Sequence, residues 1–231
     1  MTRIICFDTE TTGFDYARGD RVIEIGAVEV IDGKITGETF HAYVNPEGKI
    51  IPPSSYLVHK LSNEFLSDKP KMVDVAPKLL KFIGESAIVA HNGFDFDFPF
   101  INHELTRIGL PTISRDRQMD SIVIARHKVF GPKEYTLDSL AKWFGVSTAA
   151  RADAHGALID AEILAKVYLE LDAAASTESV AEIIEKQRDA MTAHPKIGAD
   201  FPRRTWDVPA AEAEKFKNFI ENSIKDPIWQ S

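Results

Sequence analysis

Thiols are almost absent from this sequence: Cys6 is the single cysteine among 231 residues. An intramolecular disulfide is therefore excluded, and a reducing compartment is the expected setting. No apolar stretch reaches membrane-spanning length, so no membrane is expected as a partner. The first strand-like run starts within about three residues of the N-terminus, which leaves a secretory signal no room. Together these absences predict a cytoplasmic protein. Positive charge is also short, with 27 Lys and Arg against 35 Asp and Glu, a net charge of −8. That excludes gripping nucleic acid by bulk electrostatics. It does not exclude an enzyme that meets phosphate through metal ions, because bound cations dominate their local field. No internal repeat is evident. The remaining composition, 44% hydrophobic and 27% charged, is ordinary for a globular chain. It suits one substantial domain with an appendage, or two small domains.

What is present begins with IICFDTETTG, Ile4 to Gly13. Ile4 to Phe7 are β-branched or bulky and read as a buried strand. Side chains alternate along a strand, so Asp8 and Glu10 share one face and Thr9 takes the other. Two neighbouring carboxylates repel, and one would ordinarily keep its proton. A bound cation removes that penalty; acids at a strand end facing water are the plain alternative.

Further along, RVIEIGAVEVIDGKITGETFHAYV alternates as two strands around an Asp32-Gly33 hairpin turn, giving an antiparallel meander of three strands. The segment from Ser54 to Phe65 suggests short helical turns. VDVAPKLLKFIGE reads as a helix with Asp74 as N-cap and Gly84 at its end. Ala87 to Ala90 is a short buried strand, and Phe98, Ile101, Leu105 and Ile108 carry helical spacing. Helices are also predicted at 120–127 and 135–144, and most clearly over HGALIDAEILAKVYLEL, residues 155–171. Strands followed by alternating strands and helices imply an α/β domain with a mixed sheet.

Four clusters could supply chemistry: Asp8 with Glu10, Asp95 with Asp97, His155, and Asp160. Singly, Asp97 reads as a helix cap and His155 as a capping or surface residue. Asp160 differs, since an acid among Leu158, Ile159, Ala161 and Ile163 is costly to bury unless paired or metal-bound. Taken together, Asp8, Glu10, Asp97 and Asp160 are hard oxygen donors suited to Mg²⁺ or Mn²⁺. Two such ions can clamp the attacking and leaving oxygens of a phosphodiester displacement. His155 is the obvious group of near-neutral pKa to take a proton from water. Five residues rotate a helix roughly 140° past one turn, so His155 must precede the helix that fixes Asp160.

DTETTG, IEIGAVEV, HN followed by FDFPF, and HGALIDAEILAKVYLEL resemble the three exonuclease motifs of the DEDD superfamily, in its His-containing branch. The match runs from Ile4 to about Leu171. Its first and third motifs are most similar to those of the epsilon proofreading subunits of bacterial DNA polymerase III. The resemblance implies a ribonuclease H-like fold with a five-stranded mixed sheet flanked by helices. It also implies two Mg²⁺ or Mn²⁺ ions and 3′-to-5′ hydrolysis releasing nucleoside 5′-monophosphates from single-stranded or frayed DNA 3′ ends. By matching positions it makes Asp8, Glu10, Asp97 and Asp160 the metal-binding acids and His155 the general base. The epsilon pattern has two residues between HN and FD, whereas this sequence offers Phe94-Asp95 after one and Phe96-Asp97 after three. The second spacing resembles the three-prime repair exonucleases and alone keeps residues 100–104 in step with the following helix. It selects Asp97, with Asp95 as the alternative. The resemblance further implies substrate contacts at Thr9, Thr11, Thr12, His59, His91, Asn92 and Phe96. Ser54 replaces the acid that contacts the terminal sugar. A structural role for His59, and core packing for Phe94 and Phe96, are the competing accounts.

The sequence thus predicts an exonuclease domain over 1–172 and a linker with a partly helical tail over 173–231. PAAEAEKFKNFIENSI carries a Phe/Ile face beside Trp206 and Trp229. The tail loosely resembles the segment by which epsilon proteins dock on the polymerase catalytic subunit; folding back on its own domain is the alternative. A free-standing DNA or RNA trimming enzyme, of the ribonuclease T or repair-exonuclease type, would need no docking helix. A non-catalytic module would lack at least one ligand, and none is missing.

Overall fold

A computed structural model of the chain describes residues 2–130, 132–151 and 155–174, together with Glu182 and Glu185. The chain divides into units 1–191 and 192–231, and every described residue lies in the first. The tail helix expected from the sequence falls outside the described residues. Strands β1 (Arg3–Thr11), β2 (Val22–Ile31), β3 (Lys34–Tyr43), β4 (Ala87–Ala90) and β5 (Gln118–Asp120) form one sheet in the order β3-β2-β1-β4-β5. The first three pair antiparallel, and β4 and β5 add parallel strands beside β1. This is the expected mixed five-stranded α/β architecture. Left-handed Asp32 (φ 47°) and Gly33 (φ 75°) close the predicted hairpin.

Helices within residues 2–174 include α1 (Pro53–His59), α2 (Asn63–Leu66), α3 (Met72–Ile83), α4 (Asp97–Arg107), α5 (Ser121–Lys128), α6 (Leu137–Phe144) and α7 (Ala157–Ala173). Helix α3 starts at Met72, after Lys71, so Asp74 lies in its first turn rather than at the N-cap. Its charge still suits the helix N-terminus. Alternation along β1 sends Ile4 and Cys6 into one core with α5, α6 and α7, and Ile5 and Phe7 into another with α3 and α4. Asp8 and Glu10 continue the first face and Thr9 the second, which places the acids on the α7 side. Among the described residues, no helix is long and apolar enough to cross a membrane.

Candidate active site

Helix α7 lies unusually close to the sheet beside Asp8. Asp8 pairs with Gly26 across β1 and β2, and the first turn of α7 rests on that glycine. Asp160, within this turn, is thereby buried to 4% exposure over the acidic end of β1. The pairing register shifts between Glu10 and Thr11, a bulge that re-aims the strand end where the site begins. Ligand atoms of Glu10, His155 and Asp160 lie within 4.8 Å of one another.

Asp97 arrives from the opposite side. It is the first residue of α4, 2% exposed, and its Oδ1 accepts from the Thr9 hydroxyl at 2.8 Å. Asp95 is exposed, so the fold brings Asp97, not Asp95, to the strand carrying Asp8. The loop that presents Asp97 depends on Asp120, a residue that reads in the sequence only as the start of a helix. Its buried carboxylate accepts from the amides of Phe94 (3.1 Å) and Ile122 (2.9 Å) and is also bonded by the main chain of Asn92. Asn92, in the same loop, adopts the left-handed region at φ 58°.

The electrostatics are severe. Burial, followed by the charges of Asp97, Asp160 and Glu10, pushes the Asp8 carboxyl well above its ordinary range. Burial and the nearby Asp160 and Glu24 carry Glu10 up to about 8. Burial carries Asp97 up to about 7, against the opposing hydrogen bonds from Thr9. Glu24, 3% exposed, faces Glu10 across the strand pair and accepts a 2.7 Å contact from His41 Nε2. Among the described residues the cluster has one internal cation, Arg151, whose Nε bonds Asp160 Oδ1 while its Nη1 holds Asp138 at 2.5 Å. Packing several acids this closely favours retained protons or bound cations. Hard oxygen donors, buried and short of positive charge, fit divalent cations.

His155 sits in the loop before α7, as its spacing to Asp160 required. Its side chain is 44% exposed and its Nδ1 lies 3.2 Å from Asp160 Oδ2. Its backbone N–H donates to the Val58 carbonyl at 3.2 Å, tying this loop to α1.

The expected substrate contacts fare unevenly. The hydroxyls of Thr9, Thr11 and Thr12 are all engaged within the chain, with Asp97, the Gly13 carbonyl and Asp20 respectively. Ser54 is exposed, whereas the neighbouring Ser55 is buried and donates to the Thr12 carbonyl at 3.0 Å. His59 is 4% exposed; its Nδ1 accepts from the Leu61 amide, and its Nε2 has no partner among the described residues. His91 is bonded to Ser121 at 2.8 Å, and burial pushes its pKa down to about 4, which keeps it neutral. Phe94 packs under the Arg115 guanidinium, 3.4 Å from the ring centre. Phe96 packs, with rings tilted, between Phe100 and Phe14, and Phe14, whose setting in the sequence reads only as a polar loop, is 85% exposed.

The exonuclease family model matches residues 5–168. A DNA polymerase III subunit epsilon of Rickettsia conorii is 43% identical over 172 residues, covering 73% of each chain. That of Rickettsia typhi is 41% identical over 228 residues, covering 96% of this chain and 97% of its own. Among solved structures, exonuclease X in complex with 5′ overhanging duplex DNA aligns at a TM-score of 0.58 and 28% identity, covering 80% of this chain and 99% of that one. The family works with divalent metal, which agrees with the acidic cluster. The chain therefore belongs to the exonuclease family, alongside the epsilon subunits of DNA polymerase III, and is a 3′-5′ exonuclease.

Proposed function

We propose that this exonuclease proofreads DNA 3′ ends, releasing nucleoside 5′-monophosphates with two Mg²⁺ or Mn²⁺ held by Asp8, Glu10, Asp97 and Asp160. The observation that carries this reading is the convergence of those acids and His155 from β1, α4 and α7. Divalent ions, when bound, supply the charge that acidifies water and stabilises the leaving oxygen. The protein's own groups then have distinct tasks. Because Asp160 accepts at His155 Nδ1, that nitrogen carries the ring proton, and Nε2 is left as the base that takes a proton from the attacking water. The half-exposed imidazole can pass that proton on to solvent. Thr9 fixes the orientation of Asp97. Ser55 and Thr12 brace the loop against which the terminal nucleotide would lie. Nε2–H of His59, buried and unpartnered, is suited to donate to an acceptor on that nucleotide. The 5′-labelled products of a single-stranded oligonucleotide test this directly. A ladder shortening from the 3′ end, abolished by EDTA and by Asp8→Ala, is expected; appreciable cleavage in EDTA would sink the metal assignment.

Residues 173–231 serve, in this reading, as linker and docking tail for a DNA polymerase III catalytic subunit in the cytoplasm. Similarity to the Rickettsia typhi protein, which continues past the nuclease domain, supports this. Pull-down from host lysate should capture the polymerase subunit with the full chain and not with a version ending at Leu171. Capture by neither version would favour a free-standing trimming enzyme.

A further inference from the structure

A cleft of about 650 Å³ opens beside the catalytic cluster, and His155 forms part of its wall. His91, Ile122, Arg126, Lys133 and Tyr135 contribute to the remainder. We infer that this cleft carries the phosphodiester backbone of the scissile strand on the 5′ side of the bond being cut. The inference rests on the exonuclease reading above and adds to it a substrate track that the motif residues do not supply.

Its cations set this cleft apart. Among the described residues, the buried or half-buried Arg3, Arg21 and Arg151 are spent on the chain's own carboxylates: Arg3 on Glu29, Arg21 on Glu104 and Arg151 on Asp160 and Asp138. Arg126 and Lys133 differ. Both are exposed, and neither side chain has an ion pair or hydrogen bond among the described residues. Arg126 closes the last turn of α5, and Lys133 lies in the segment leading to α6, so two separate elements aim cations at one cleft. Of the acids in that wall, Asp138 shares the Arg151 guanidinium with Asp160 and Glu134 is exposed to water. On a chain with a net charge of −8, free cations grouped at the approach to an acidic centre create a local field that favours an anion. The cleft is also partly aromatic. Tyr135 lines it, and Phe130 in the same connecting segment is 85% exposed. Unpaired cations with aromatic faces are the combination that follows a single strand, with phosphates on the former and bases on the latter. Continuity with His155 makes the occupant the strand undergoing cleavage rather than a detached anion.

The test compares a dinucleotide with an octanucleotide of the same 3′ sequence, using the full chain with Mn²⁺ present. The parent protein should favour the octanucleotide in kcat/KM. In Arg126→Ala/Lys133→Ala that preference should fall about tenfold or more. The salt dependence of octanucleotide binding should become shallower by about 0.7 in log–log slope for each phosphate no longer neutralised. Arg126→Lys should retain most of the preference, since holding a phosphate needs charge more than shape. An unchanged preference and slope in the double variant would overturn the inference. So would an equal loss on both lengths, which would place the effect at the reacting centre or in the fold. Failure of the parent to cleave either substrate would remove the exonuclease reading itself, and this inference with it.

Discussion

A Cβ atom on Gly26 would lie 2.2 Å from both the carbonyl carbon and the carbonyl oxygen of Ala157. Gly26 is the strand partner of Asp8, so this close approach of helix and sheet occurs beside the first acid of the cluster. Missing side-chain volume at one position sets the height at which Asp160 stands over the site. Gly26→Ala must push the N-terminal turn of α7 outward. Urea unfolding should show a loss of about 1–3 kcal/mol, typical of overpacking. Exonuclease activity should fall by more than for the same change at Gly33, whose left-handed φ of 75° strains any replacement but where a Cβ meets nothing within 4 Å.

Arg151 is the internal counter-ion of the acidic cluster, and its charge opposes the upward shifts of Asp8 and Glu10. Removing it should leave the carboxylates without compensation when metal is absent. Arg151→Ala is expected to lower the unfolding midpoint in EDTA and to widen the stabilisation gained on adding Mn²⁺. Differential scanning calorimetry with and without metal reads both. Equal midpoints for parent and variant in EDTA would remove Arg151 from this role.

The raised carboxyls make a statement about pH. Glu10 titrates near 8 and Asp97 near 7 in the folded chain, against ordinary values of 4.5 and 3.8. Folding thus favours the protonated forms, and the unfolded chain binds fewer protons between those limits. The stability these groups contribute is fully present below about 4 and lost as pH rises to about 8. Metal-free protein should therefore melt progressively lower from pH 5 to pH 8, and saturating Mn²⁺ should flatten or reverse the trend. A metal-free midpoint that climbs steadily across this window would contradict the buried cluster.

Asp97 and Asp95 lie two residues apart with opposite surroundings, one buried against Thr9 and the other exposed. Asp97→Asn should abolish hydrolysis, on the order of 10³-fold or more if it removes transition-state charge stabilisation. Asp95→Asn should stay within a few-fold of the parent. The reverse result would move the second-motif ligand to Asp95.

Asp120 acts at one remove, by holding the loop that delivers Asp97. Asp120→Ala leaves buried amides without an acceptor, at a cost of about 1–3 kcal/mol for each group that water cannot reach. Mn²⁺ affinity, followed by electron paramagnetic resonance, should weaken along with stability. Asp120→Asn, which keeps one acceptor oxygen, should recover part of both.

Local pattern in the sequence was enough for much of this molecule. Alternation in β1 and β2, the Asp32-Gly33 turn, and helical spacing in α3, α4 and α7 report short-range geometry, which neighbouring residues fix on their own. The facing of Asp8 and Glu10, and the need for His155 to stand outside the helix of Asp160, follow from the same periodicities. Strand β5, three residues long, is too short for alternation to show. The true start of α3 was hidden because Asp74 suits a helix N-terminus equally well as cap or as first-turn acid. The remaining features depend on residues distant in the chain. Arg151 meets Asp138, Ser55 meets Thr12, Asp120 meets Phe94, and Ala157 rests on Gly26 only after the sheet and its helices have packed. Residue identity and spacing alone name the side chains whose chemistry suits a metal and a proton, with Asp95 and Asp97 both among them. Packing selects which acid is buried against Thr9, which cation pairs with Asp160 and which cations stay unpaired, because burial and charge pairing are properties of the folded chain and not of any local stretch.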